Sequence, residues 1–345
     1  MTNSTKPTLP PNPRPRVVAA EGPTFGMPDY GPPPPNMPIP NWLNAFLLAV
    51  TFCGGISLLW LGSWLTVWWQ VLLVGAAFSY LMLTNYALLH EAAHGNLNSH
   101  PRTNYLLGVV AGLLFPIPFR LMRTTHQNHH IHNRTDQEMF DLYYPTDNRL
   151  LKRLQWYGLL CGLFWPLVPL GAIVFAVWPS LLRSRMVKSA HPARGMGIVA
   201  NLDRKAVNVV RLELLLICVF MAALACLLPL RLLNTAVLYA CFSFNWSTRQ
   251  YVGHAFSRRD VVDGAWNLRH VRWMSWLLLH GEFDLNHHRR PEVSWYYLPG
   301  ISELDEPRLS YWRQYWRQWG GLRPCQDPPP KPGRQAQFGD EDSCP

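Results

Sequence analysis

Residues 65–95 read LTVWWQVLLVGAAFSYLMLTNYALLHEAAHG, and two features of this stretch decide the fold. From Leu65 to Leu89 there is no charged residue, and a helix needs about 20 apolar residues to cross the hydrocarbon of a bilayer. The run then ends on His90-Glu91-Ala92-Ala93-His94, two imidazoles one helical turn apart at the edge of a predicted membrane helix. Upstream, Trp42 to Leu61 is a second uncharged run, separated from the first only by Gly62-Ser63-Trp64, which predicts a tight antiparallel hairpin. Downstream, Leu212–Leu228 and Leu232–Trp246 form another pair around Pro229 and Arg231, with Glu213 at the membrane edge.

The basic residues mark the sides. Arg14 and Arg16 precede the first pair, Arg120, Arg123, Arg149, Lys152 and Arg153 lie between the pairs, and Arg249, Arg258 and Arg259 follow the second. Short loops rich in Lys and Arg stay cytoplasmic, so both tails and the long loops are expected inside and the two turns outside. Two more stretches are apolar. Leu106–Phe119 is too short to cross and is broken by Pro116 and Pro118; Trp156–Trp178 is long enough, but Pro166 and Pro169 interrupt it. A fifth crossing would also separate the histidine-rich segments before and after it, so both stretches are read as interfacial or re-entrant. The expected fold is thus an all-α integral membrane protein, with about four transmembrane helices in two hairpins, interfacial helices and a cytosolic cap.

Composition agrees. Of 345 residues 49% are hydrophobic and 15% charged, with 16 Trp, which excludes a disordered chain. The mean hydropathy of −0.03 is diluted by the two ends. Thirteen of the 31 Pro fall in the first 40 residues, so residues 1–41 are read as a Pro-rich disordered tail, 42–322 as the folded domain and 323–345 as a second polar tail. No cleavable signal peptide is expected, because Pro-rich sequence precedes the first apolar run. The net charge of +10 is assigned to membrane topology, not to nucleic acid. Seven Cys occur without a CxxC pair, and Cys53, Cys161, Cys218, Cys226 and Cys241 read as small core hydrophobes.

Three histidine clusters carry the chemistry: His90 and His94; His126, His129 and His130; and His287 and His288, preceded by Asp284 where a first histidine would stand. Spacings of three and four residues put side chains on one helical face. Gathering so many imidazoles costs desolvation and repulsion unless a metal compensates. With His254, alone after the last span, there are nine donors: His90, His94, His126, His129, His130, His254, Asp284, His287 and His288. A mononuclear zinc site uses three or four, so two ions are expected, and imidazole with carboxylate suits iron and oxygen chemistry without excluding manganese, copper or zinc. His100, His132, His191, His270 and His280 fall outside the spacings.

These motifs resemble those of the membrane fatty acid desaturase superfamily, whose histidine boxes read HxxxH, HxxHH and H/QxxHH at comparable separations. Gly95 after the first box, Asn133-Arg134-Thr135-Asp136 after the second, and Trp295-Tyr296-Tyr297-Leu298-Pro299 after the third are similar too. The resemblance covers roughly residues 42–300. It implies two non-haem irons, molecular oxygen as co-substrate, desaturation of a fatty acyl or related lipid chain, and a ligand role for His254. Asp284 departs from the family pattern, which leaves the geometry at that metal open and can mark a different substrate or outcome.

Glu91, Asp136, Glu138, Asp141 and Glu282 are candidates to orient the ligand rings. Trp68, Trp69, Phe78 and Tyr80 are aromatics that could line an acyl tunnel, though none is assigned to it. Electrons are expected from a separate ferredoxin, rubredoxin or cytochrome, with Arg258, Arg259, Arg289 and Arg290 as a candidate docking surface. Rival readings are a hydroxylase or ketolase of a lipid, alkane, sterol, sphingoid or carotenoid at the same site, and a zinc protease using His90-Glu91-x-x-His94. A non-enzymatic receptor or haem carrier would place paired histidines within the spans, and here they stand at the ends.

Overall fold

The computed structural model describes residues 33–182, 204–303 and 306–332. The Pro-rich segment 1–32, His191 and residues 333–345 lie outside the described residues. The first hairpin is α1 (Asn41–Trp64) and α2 (Trp68–His94), packed together along their length. α3 (Pro101–Leu114) and α4 (Phe119–His132) follow, bent 98° from each other where Pro116 and Pro118 deny the helix its donors. α5 (Arg149–Gly158) continues through a π-turn (Leu159–Leu163) into α6 (Phe164–Val177). Gly162, at φ +97°, makes the kink there. The second hairpin is α7 (Arg204–Leu227) and α8 (Leu232–Ser247).

Among the described residues, four helical stretches are long and apolar enough to cross a membrane: 41–64, 68–94, 149–177 and 204–227. Apolar runs in the sequence point to 232–246 as the fourth crossing instead of 156–178. At 16 residues, α8 is about 24 Å long, short of the ~30 Å of hydrocarbon. Its contacts nevertheless run in register with the first hairpin. At one end Asn234 donates to the carbonyls of Gly62 and Leu65 in the α1–α2 turn; at the other Asn245 donates to Ser79 and Trp246 packs on Tyr86. The 149–177 stretch behaves differently. Phe164 stacks on Trp246 at 5.4 Å and Trp165 N–H donates to Ser247, while at its far end Ala176 O accepts from Arg211 near the start of α7. The start of α6 therefore packs on the end of α8 that precedes His254, and its far end on the start of α7.

The core runs along α2, α3 and α8 through Phe78, Met82, Leu88, Ala111, Phe115 and Phe242. Cys53, Cys161, Cys218 and Cys226 are exposed on the helix surfaces and Cys241 is half-buried, so the cysteines are not the core residues the sequence suggested. Around the histidine-bearing end of α2 a cap is built from short pieces. Strands β1 (Leu142–Tyr143) and β4 (Arg323–Pro324) pair in parallel, as do β2 (Leu268–Arg269) and β3 (Leu309–Ser310). Short helices α9 (Arg272–Leu277), α10 (Asp284–Arg289) and α11 (Tyr311–Gln318) complete it. Cys325 is buried, so the folded cap extends past Leu322.

At the centre of the cap the fully buried Arg134 donates to Asp141 at 2.6 Å, to Tyr251 OH at 2.8 Å and to the Ser257 carbonyl. Asp141 also accepts from Phe256 N–H. Removing either member leaves an uncompensated buried charge. This network ties the loop after α4, the helix that carries His129, to the loop after α8, which carries His254.

Candidate metal centre

His90 and His94 occupy the last turn of α2, and His126, His129 and His130 the last two turns of α4. His287 and His288 sit on α10, whose position is fixed by a residue that sequence reasoning missed. Buried Asn286 donates to Leu298 O and Ser302 Oγ and exchanges hydrogen bonds with Asn267. Its only signal in the sequence is an amide inside the third box. Trp295 N–H donates to Glu91 Oε2 at 3.0 Å and its indole to Asn44 on α1, which locks the third-box loop against the first hairpin.

The histidines converge in two groups. His90, His94, His126 and His287 place one nitrogen each within 4.8 Å of one another, and His129, His254 and His288 do the same. His130 lies between the groups: its Nε2 is 3.2 Å from His126 Nε2 and 3.1 Å from His287 Nε2, and its ring centre is 4.4 Å from that of His288. His94 and His126 bring their Nε2 atoms to 2.6 Å. Asp284 borders the second group, with Oδ2 3.1 Å from His254 Nε2 and Oδ1 3.9 Å from His288 Nε2.

The donor set fits metal ions. Nitrogens bound to one ion at about 2.1 Å stand roughly 3.0–3.4 Å apart, the spacing around His130 Nε2. The second group makes the stronger case. His254 Nδ1 lies 3.0 Å from Gly264 O, which can only accept, so Nδ1 carries the proton. Neutral His254 then turns the Nε2 lone pair toward a carboxylate oxygen at 3.1 Å, a contact that a cation between them would make favourable. Burial first, then the neighbouring imidazole of His129, holds His254 below its ordinary range against the pull of Asp284, so the ring stays neutral. Close approach is possible because residue 253 is glycine: a Cβ there would stand 2.9 Å from Asp284 Cγ.

Of the five acids proposed to orient the rings, Glu138 reaches a ligand, with Oε2 3.4 Å from His129 Nδ1. Glu91 Oε1 is 3.9 Å from His90 Nδ1, but its other oxygen is engaged by Trp295, a poor arrangement for a protease general base. Asp136 pairs with Arg259 and Tyr144, Asp141 with Arg134, and Glu282 with Ser275 and His280, none of them against the nine candidate ligands. The basic residues nominated for docking are ion-paired: Arg258 and Arg289 with Asp263, Arg289 also with Glu306, Arg259 with Asp136, and Arg290 with Glu292. The remaining described histidines serve locally. His100 accepts from Thr103 N–H as the cap of α3, His270 packs on Tyr311, and His280 bonds Ser275. His132 is not part of either group.

A cavity of about 830 Å³ meets the centre. His90, His126, His129, His254, Asp284 and His287 form its polar floor, and Leu83, Phe115, Ile117, Leu159, Phe164 and Phe175 are among its apolar walls. It runs between α2, α4, α6 and α8, so the kinked α6 forms one side. The aromatics considered from sequence are not on its lining: Phe78 is buried in the core, and Trp68 and Trp69 are exposed.

The centre makes stability depend on pH. Burial, and then the surrounding imidazoles, push His287 and His288 well below the ordinary histidine range. An unfolded chain takes up these protons near pH ~6.5, whereas the folded chain does not, so stability is full above that pH and falls as pH drops below it. Thermal unfolding of the chelator-treated protein in detergent should show a midpoint that declines from about pH 6.5 to 5. A flat midpoint over this range would contradict the assignment.

A model of the family described as fatty acid desaturase matches residues 62–319. Among curated proteins none matches.

Proposed function

Because the chain belongs to the fatty acid desaturase family, we propose that it is an oxygen-dependent desaturase of a fatty acyl or related lipid chain, working through two non-haem irons held by the two histidine groups. Family membership implies an oxidoreductase with a lipid substrate in a multi-pass membrane protein. The observation that carries the finer reading is the convergence of seven imidazoles into two adjacent groups, with His130 between them and Asp284 beside the second.

In this reading His90, His94, His126 and His287 hold one iron, and His129, His254, His288 and Asp284 the other, with His130 at their junction. When bound, the irons would activate oxygen with two electrons from outside, supplying an oxidant stronger than any side chain. The protein's own contribution is positional. Gly264 O fixes the His254 tautomer, and Glu138 accepts from His129 Nδ1 so that Nε2 faces the metal. The apolar walls would take an alkyl chain, keep water away and present a methylene to the histidine floor. The active site and both termini face the cytoplasm, residues 42–322 with the cap's extension through Cys325 form the catalytic domain, and a separate ferredoxin, rubredoxin or cytochrome delivers the electrons.

Asp284, where the family uses His or Gln, favours keeping one second reading: hydroxylation or ketolation at the same site. Desaturation and hydroxylation share their first hydrogen abstraction, so the product decides. Reconstituted protein given reductant, oxygen and a lipid mixture should yield lipids lighter by two hydrogens. Products heavier by one oxygen would replace desaturase by hydroxylase, and no oxidised lipid in the presence of bound iron would overturn both.

A further inference from the structure

One face of the cap is built from two stretches that are aromatic and cationic. Neither 266–281 nor 307–324 contains Asp or Glu. Arg269, Arg272 and Arg313 are exposed there, and none forms an ion pair among the described residues. Beside them Trp273 and Trp316 are each 65% exposed, Trp276 41% and Trp312 39%, and indoles are enriched where one end is apolar and the other wet. The two stretches form one surface, since pairing of β2 with β3 sets Arg269 opposite Ser310, and the rings of Trp312 and His270 lie 5.7 Å apart.

The depth of this face is fixed by its attachments to α2. Thr84 Oγ1 donates to Leu277 O at 2.7 Å, and Arg249 donates to both Tyr80 OH and Tyr311 OH with its guanidinium 5.4 Å from the Trp312 ring. At 1.5 Å per residue, Tyr80 and Thr84 lie about 18 and 24 Å along α2 from Trp68, within the ~30 Å that hydrocarbon occupies. Counted from Trp68, these attachments fall about 6–12 Å short of the far edge of that hydrocarbon, so the exposed indoles and arginines flank the membrane helices close to where acyl chains meet headgroups.

We propose that this face binds anionic phospholipid headgroups, with Arg269, Arg272 and Arg313 on the phosphates and the four tryptophans at the interface. The depth of the indoles favours lipid over an acidic protein partner, which would need the face open to water. Leu268, Leu278 and Tyr311, carried by the same elements, line the cavity, so a bound lipid steadies one of its walls. The proposal is independent of any metal.

The test uses the full chain in bilayer nanodiscs of equal phosphatidylglycerol and phosphatidylcholine, extracted into detergent, with retained lipid counted by native mass spectrometry. Wild type should retain phosphatidylglycerol enriched about tenfold, and the combined Arg269→Gln, Arg272→Gln and Arg313→Gln variant should lose the enrichment. Should that variant fail to fold, Arg272→Gln and Arg313→Gln alone are each expected to lower it about threefold. Equal retention of the two lipids by wild type, or full enrichment in the folded variants, overturns the proposal. So does a variant with enrichment intact but weakened binding of an acidic redox protein, which would make the face a protein dock.

Discussion

Replacing His126 with alanine is expected to abolish turnover, lowering it more than about 100-fold, and to reduce bound metal from about two ions per chain to about one. His126 is buried on α4 with Nε2 between His94 Nε2 at 2.6 Å and His130 Nε2 at 3.2 Å, so its loss opens the first group at its centre. The fold should survive. The core along α2, α3 and α8 does not use this imidazole, and the Arg134–Asp141 network holding the cap is built from other residues. Elemental analysis with product assay on the same preparation checks both halves. A folded variant with full metal and normal turnover would remove His126 from the centre.

The second large effect is expected at a residue without a functional group. Gly253→Ala places a methyl 2.9 Å from Asp284 Cγ and 3.1 Å from its Cβ, and the side chain must swing away from His254. If Asp284 ligates the second iron, Gly253→Ala and Asp284→Ala should each cost about 10- to 100-fold in turnover and weaken one metal selectively. Their combination should cost little more than either alone, because both remove one interaction. Asp284→His should recover part of the loss. Additive effects, or an alanine at 284 with both metals retained, would assign the carboxylate a merely local role.

Much of this architecture is legible in sequence because membrane insertion and metal binding write short-range patterns. Uncharged runs of bilayer length mark α1, α2 and α7, and the i, i+3 and i+4 spacings mark all three clusters. His254 has no spacing to support it; its place depends on the Arg134–Asp141 network, which joins residues over a hundred positions apart. Length also misleads. The 149–177 stretch passes as a span although its helix is broken at Gly162, and α8 falls short although its contacts follow α2. Gly162's positive φ and the packing of Trp165 on Tyr239 shape this part of the fold, and neither leaves a periodic signal. Charge is the least transparent feature. In sequence Arg258, Arg259, Arg289 and Arg290 look like a free patch because their partners Asp136, Asp263, Glu292 and Glu306 come from other parts of the cap or from neighbouring turns.

Elemental analysis of the detergent-purified chain, expressed with ample iron, reads out whether the two adjacent histidine groups hold two irons. Close to two irons per chain are expected; a single zinc, or no bound metal in folded protein, would rule out the diiron centre.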